Sequence, residues 1–171
     1  VRTLIAANFG TRSATDLSTL LRHADLRIRQ KAQFELVRRG DATSLLAAAK
    51  DPANQLARIH GVWGVAQLAR TANGGAQHAT LLVPFLTDQD AEIRAQAAKM
   101  IGDLRYTQAA AKLVPLLADS APRARFFAAE ALGRIAYKPA TAQIVAMLAA
   151  NDDKDVYLRH AGSLALSRMG D

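Results

Sequence analysis

DAEIRAQAAKMIG at residues 90–102 returns in altered form four more times: DLRIRQKAQFELV from Asp25, NQLARIHGVWGVA from Asn54, APRARFFAAEALG from Ala121 and DVYLRHAGSLALS from Asp155. Four residues into each stands an arginine: Arg29, Arg58, Arg94, Arg125 and Arg159, spaced by 29, 36, 31 and 34 residues. Three residues beyond it comes Ala32, Gly61, Ala97, Ala128 or Gly162. Seven beyond it comes Leu36, Val65, Ile101, Leu132 or Leu166. Positions +3, +7 and +10 share one side of a helix, so each stretch reads as an amphipathic helix. The small residue at +3 admits a neighbouring helix. Asp25, Asp90 and Asp155 stand where an N-cap belongs, and Gly40 and Gly170 where helices stop.

A shorter amphipathic segment precedes each stretch: DLSTLLRH from Asp16, ATSLLAAAK from Ala42, ATLLVPFLT from Ala79, AAAKLVPLLA from Ala109 and ATAQIVAMLA from Ala140. Pro84 and Pro115 recur at one register and predict a kink in that first helix. DPAN at Asp51, TDQD at Thr87 and ADSAP at Ala118 are short connections, and TANGG at Thr71 is the longest loop. Helical hairpins of this length cannot bury their apolar faces alone and must stack. The expected fold is all-α: a right-handed α-solenoid of about five hairpins in one domain over residues 1–171. The repeats fall at about 14–40, 42–72, 76–106, 107–137 and 138–170.

The aspartate-to-arginine spacing, the small residue at +3 and the LVPLL strings resemble the HEAT-repeat family in its short bacterial form, over residues 14–170. LRIRQKAQFELVRRGD, ARIHGVWGVAQLAR and VYLRHAGSLALSRMGD further resemble the HEAT segment of multidomain planctomycete-type proteins, where it links a dehydrogenase-like propeller to a c-type haem domain. That resemblance implies an exported or periplasmic parent and a linking role. It transfers no catalytic residue, because C-x-x-C-H is absent. The chain is expected to be a piece of something longer. The apolar residues of the last helix, Leu158, Gly162, Leu164, Leu166 and Met169, are expected to leave an apolar end face for a further domain, repeat or second copy.

Composition supports a helical core: 37 alanines, 22 leucines and 50% apolar residues in 171, with no cysteine. The missing thiol excludes disulfides, thiolate metal sites and cysteine nucleophiles. No apolar run approaches the ~20 residues of a membrane span, so no membrane insertion is expected. The four histidines stand in different repeats without H-x-x-x-H or H-E-x-x-H spacing, and no metal or cofactor is expected. NDDKD lacks the glycine and closing glutamate of a calcium loop. No phosphate loop, dinucleotide fingerprint or nucleophile elbow occurs.

The net charge of +7 is concentrated: residues 1–40 hold eight basic and three acidic side chains. A groove that tracks nucleic acid spreads its cations over successive phosphates. This pattern suits a local acidic contact or a solvated face. The repeat arginines Arg29, Arg58, Arg94, Arg125 and Arg159 are expected to pair with the acid four residues earlier (Asp25, Asp90, Asp155) or in the adjacent repeat, an Asp–Arg ladder. Asn54 and Ala121 interrupt it, so Arg58 and Arg125 need other acceptors.

Positions +2, +5, +6 and +9 fall opposite the packed face and form a candidate concave stripe. Its partner-binding candidates are Lys31, Phe34, Arg38, His60, Trp63, Lys99, Phe127, Arg134 and Arg168. Aromatic and arginine side chains supply area and directed bonds at protein interfaces. The alternative is that the phase drifts and the aromatics pack on the first helices; burial of Trp63 and Phe127 would decide for it. The expected function is a non-catalytic interaction or scaffold module that docks or links neighbouring domains. The alternative is nucleic-acid binding like that of HEAT-like alkylpurine glycosylases. A third class, attachment of bilins, rests on similar repeats in bilin-lyase subunits and has no supporting residue arrangement here.

Overall fold

A computed structural model describes residues 1–71 and 75–170. Residues 72–74, most of the expected TANGG loop, and Asp171 lie outside the described residues. Regular structure among the described residues is entirely helical. The chain divides into two compact units, Val1–Leu81 and Leu82–Asp171, and the division falls inside the expected third repeat.

The first unit contains α1 (Arg2–Ala6), α2 (Ala14–Leu20), α3 (Leu26–Arg38), α4 (Ala42–Lys50), α5 (Gln55–Ala69) and α6 (Gly75–Thr80). Helices α2 and α3 pair, α4 and α5 pair, α3 lies against α5, and α6 packs beside α5. The starts are set locally. Ser13 and Asp16 form a capping box, and Asp25, Asp41 and Asn54 accept from backbone N–H groups of α3, α4 and α5. Leu17, Ile28, Leu36 and Leu45 are fully buried, each contributing about 2 kcal/mol of transfer free energy. Close approach is made by Gly61 at +3: a Cβ there would stand 2.4 Å from the Ala49 backbone nitrogen.

The second unit contains α7 (Ala91–Asp103), α8 (Ala110–Leu113), α9 (Pro122–Ile135), α10 (Thr141–Asn151) and α11 (Val156–Met169). The kink expected at the two prolines takes the form of a change of helix type. At Pro84 and Pro115 the first helix tightens into 3-10 segments, Val83–Thr87 and Val114–Ala118. The fifth repeat has Ala146 at the corresponding register, and α10 runs on as α-helix to Asn151. The second helices α7, α9 and α11 stack side by side. A Cβ on Gly102 would meet the Ala131 Cα at 2.6 Å, and one on Gly133 the Ala165 Cα at 2.6 Å. Position +8 of one repeat thus meets +6 of the next.

Four of the five second helices end the same way. Eleven residues after the repeat arginine the backbone turns left-handed, at Gly40 (φ 70°), Arg105 (49°), Ala136 (56°) and Gly170 (73°). After the first three of these, the next residue's N–H bonds the carbonyl five residues back: Asp41 to Leu36, Tyr106 to Ile101, Tyr137 to Leu132. Glycine adopts this conformation freely, whereas Arg105 and Ala136 carry a cost of about 1 kcal/mol each.

The expected apolar end face is corrected on α11. Leu158, Gly162 and Met169 are buried, and Leu164 and Leu166 are half-buried. In α9 Gly133 meets the next helix, and Phe126 and Ala129 precede it by seven and four residues on the same stripe. Their counterparts in α11 are His160, Ser163 and Ser167, all exposed. Most of the apolar positions seen in the sequence are therefore covered by the repeat's own packing, and the exposed stripe is polar beyond the first turn of α11. Exposed apolar groups of this repeat are Val145 on α10 and, in the first turn of α11, Val156 and Tyr157.

Candidate functional site

The aspartates and arginines of the expected ladder separate into two devices. Asp25, Asp90 and Asp155 cap their helices by accepting from the N–H groups of Arg27, Glu92 and Tyr157. Asp25 is paired with the Arg27 side chain at 2.6 Å, which holds its carboxyl well below the usual range. The arginines instead clamp the incoming connection. Arg29 donates to the carbonyls of His23 and Ala24 at 2.6 and 2.7 Å. Arg94 does the same with Asp88 and Gln89, and Arg125 with Asp119 and Ser120. Arg58 donates to Ala49 O at 3.0 Å, and Arg159 lies 3.6 Å from Asp153. The pairing four residues apart that the sequence suggested is therefore corrected. An N-capping carboxylate is committed to the free N–H groups of its own helix, while loop carbonyls one turn away need donors. Arg94 also reaches the next repeat, with Nε and Nη2 on Asp119 at 2.7 and 2.8 Å, and lowers that carboxyl's pKa.

The concave stripe is narrower than its sequence outline. Positions +2 and +6 are largely closed: His60, Gln96, Phe127, Ala161, Glu35, Gly64, Met100, Ala131 and Ala165 are buried. Each second helix is flanked by another, so the apolar arc spreads beyond the face set by +3, +7 and +10. Positions +5 and +9 remain open. Phe34 is 52% exposed and Trp63 half-buried, but Phe127 is only 8% exposed. Phe127 therefore leaves the stripe: Phe126 packs edge-on against it and the Arg123 guanidinium lies 5.1 Å over its ring. Lys31 leaves it too. Its ammonium donates to Ile5 O at 2.6 Å and sits 5.1 Å from the Phe9 ring centroid, fastening the N-terminal segment onto α3.

His60, 2% exposed, is part of a buried polar chain. Its Nδ1 lies 2.6 Å from Gln33 Oε1, which can only accept, so Nδ1 carries the proton. Gln33 Nε2 donates to Gln67 Oε1 at 2.8 Å, joining α3 to α5. Burial, with Arg29 nearby, pushes the imidazole pKa down to about 4. Trp63 meets the imidazole edge-on at 5.1 Å.

In the second unit the open positions are ionic. Lys99 pairs with Asp103 at 2.7 Å, and Asp103 also accepts from Arg134 of the next helix. Arg134 in turn lies 3.5 Å from Glu130. Arg168 is exposed at the same position of the last repeat. A cleft of about 550 Å³ opens here, lined by Gly102, Asp103, Arg105, Gly133, Arg134, Ala136 and Arg168. Arg105 was absent from the sequence candidates. Its signal was available: it occupies the register where Gly40 and Gly170 stand.

The basic first repeat is mostly engaged within the molecule. Arg22 pairs with Asp51, and Arg38 and Arg39 with Glu35. Those two guanidiniums lower the Glu35 carboxyl pKa to about 2. Arg39 also binds the carbonyls of Phe9, Gly10 and Arg12. Among the described residues no cluster of three potential metal ligands occurs, and no helix is long and apolar enough to cross a membrane.

A profile of HEAT repeats matches residues 79–167, more than half of the chain. The chain belongs to the HEAT-repeat family. Its fold is similar to that of the complex of CpcE and CpcF of phycocyanin lyase from Nostoc, with TM-score 0.69 and 20% identity, covering 96% of this chain and 67% of that one. Human deoxyhypusine hydroxylase in complex with glycerol aligns with TM-score 0.59 and 20% identity, over 92% of this chain and 62% of that one. A designed armadillo repeat protein in complex with the peptide (KR)4 aligns with TM-score 0.58 and 18% identity, over 91% and 81%. At these identities the likeness is one of fold. No curated protein matches the sequence. The HEAT/armadillo class of all-α fold follows, and such folds typically serve as protein-interaction scaffolds.

Proposed function

We propose that this chain is a non-catalytic HEAT module that docks or links protein domains through the open positions of its second helices. The carrying observation is the pair Phe34 and Trp63. They occupy position +5 on adjacent helices α3 and α5, Phe34 exposed and Trp63 half-buried, while most of +2 and +6 is closed. Aromatic side chains left open on a rigid helical face are anchors of the kind that dominate interface energetics. The armadillo neighbour that holds a peptide supports the reading by analogy of fold. The resemblance to linker segments of exported multidomain proteins supports neighbouring domains of a parent chain as the partner.

A photo-crosslinking residue at Phe34 tests this in cells. It captures a protein partner, and the same residue at exposed Ala47 on α4 does not; equal labelling from both positions refutes the docking face. Several cations that the nucleic-acid alternative would use already have partners: Arg22 has Asp51, Arg38 has Glu35 and Arg39 has loop carbonyls. A DNA titration at two salt concentrations is expected to show no steep electrostatic slope.

A further inference from the structure

We propose that the cleft at the C-terminal ends of α7, α9 and α11 binds an acidic peptide segment of a partner protein, with Arg105 and Arg168 taking its carboxylates. The cleft exists because Gly102 and Gly133 let three helices close up, so that residues from three successive repeats line one opening. Three of those seven lining residues are arginines and one is an acid. The acid, Asp103, is saturated by Lys99 and Arg134. Among the described residues no side chain or carbonyl engages the guanidinium of Arg105 or Arg168, and both are exposed. Two free guanidiniums at the edge of a recess suit planar, bidentate carboxylate ligands.

A second observation points the same way. Arg105 holds a left-handed φ of 49° at the register where Gly40 and Gly170 stand. Helix-end electrostatics account for cations near a C-terminus, and Arg134 already supplies one on α9. They do not account for an arginine in a backbone conformation that favours glycine. Ala136 holds the same turn as a helix stop, so what is particular to Arg105 is an exposed guanidinium at that stop with no internal partner among the described residues. A carboxylate peptide fits better than a phosphodiester strand, because Arg134 is held by Asp103 and Glu130 and only two arginines of the cleft are left, whereas a strand needs cations along successive phosphates.

The proposal rests on the second helices being the partner-facing side. It concerns the second unit alone, so its failure is separable from that of cross-linking at Phe34. The probe is a fluorescein-labelled alternating Glu–Ala peptide, followed by anisotropy on the full chain. Arg105→Gly is expected to weaken binding about tenfold while raising the melting midpoint by about 3 °C. Loss of binding then cannot be misfolding. Asp152→Gly, at the left-handed end of α10 outside the cleft, leaves binding unchanged, and Arg168→Ala weakens binding about as much as Arg105→Gly. Unchanged binding in Arg105→Gly overturns the proposal. So does an equal loss in the Lys112→Ala/Lys138→Ala variant, which removes two exposed cations elsewhere on the same unit. So does displacement of the peptide by inorganic phosphate or an oligonucleotide at lower concentration than by unlabelled peptide.

Discussion

The two units present different chemistry at the same helical positions. At +5 the first unit carries Phe34 and Trp63, where the second carries Lys99, Glu130 and Leu164. At +9 the first carries Arg38 and Gln67, and the second Asp103, Arg134 and Arg168. Between helices the contrast deepens. A neutral chain, His60–Gln33–Gln67, joins α3 to α5, whereas the pair Asp103–Arg134 joins α7 to α9. One repeat geometry therefore supports two kinds of surface. The inward positions are fixed by helix spacing, and the open positions are free to differ. Neutral buried bonds are indifferent to salt and sensitive to the protonation of their histidine. Ion pairs that are partly open to solvent have the opposite sensitivities.

The largest expected effect tests what the units share. Gly61→Val puts a branched side chain where even a Cβ would lie 2.4 Å from the Ala49 nitrogen and 2.6 Å from Leu45 O. Both atoms are backbone of α4, so relief requires the hairpin to open. A loss of about 4 kcal/mol is expected in chemical denaturation. A loss below about 1 kcal/mol would mean that α4 and α5 separate at little cost, and that glycine at +3 does not set their approach.

Acid separates the units next. The folded-state pKa of His60, about 4, lies below its ordinary 6.5. Its contribution is therefore complete above pH 6.5 and is lost as the pH falls from there toward 4, by about 2–3 kcal/mol. Glu35 follows between its ordinary 4.5 and about 2. In the second unit Asp119, lowered by Arg94, loses its contribution only as the pH falls below 3.8. Hydrogen exchange at pH 7 and pH 4.5 is expected to show α3 and α5 opening first, with α7 and α9 still protected. His60→Gln removes the titrating group and abolishes the difference in onset.

These contrasts also show which features the sequence could disclose. The repeat, the hairpins, the caps at Asp25, Asp90 and Asp155 and the tightened turns at Pro84 and Pro115 are local. Each depends on a residue type at a fixed register, and each was legible. The acceptors of the repeat arginines were legible only in part: Arg94 reaches Asp119 of the adjacent repeat as expected, but the clamps on loop carbonyls left no mark. Whether Arg29 turns to Asp25 or to the carbonyls of His23 and Ala24 depends on where the connection runs, and residue spacing does not encode that path. The same holds for Phe127 and Phe34. Both looked like stripe residues, and burial parted them because position +2 lies between neighbouring second helices while +5 does not. Lys31 was misplaced for a related reason: Phe9 and the segment around it fold back onto α3, and no periodicity marks such a segment. Arg105 lay just past the last position considered, at the helix end.

The smallest effect bears on the ionic side of the comparison. Lys99→Met removes one partner of Asp103 and leaves Arg134 in place. The lysine is more than a third exposed, so its ion pair is screened and costs side-chain entropy to hold. A change of about 0.5 kcal/mol or less is expected in denaturant titrations, and smaller still in high salt. A loss near 2 kcal/mol would instead mean that Asp103 needs both cations to join α7 to α9. The ionic surface of the second unit would then be structural rather than open to a partner, and the two units would differ in how they hold together instead of in what they present.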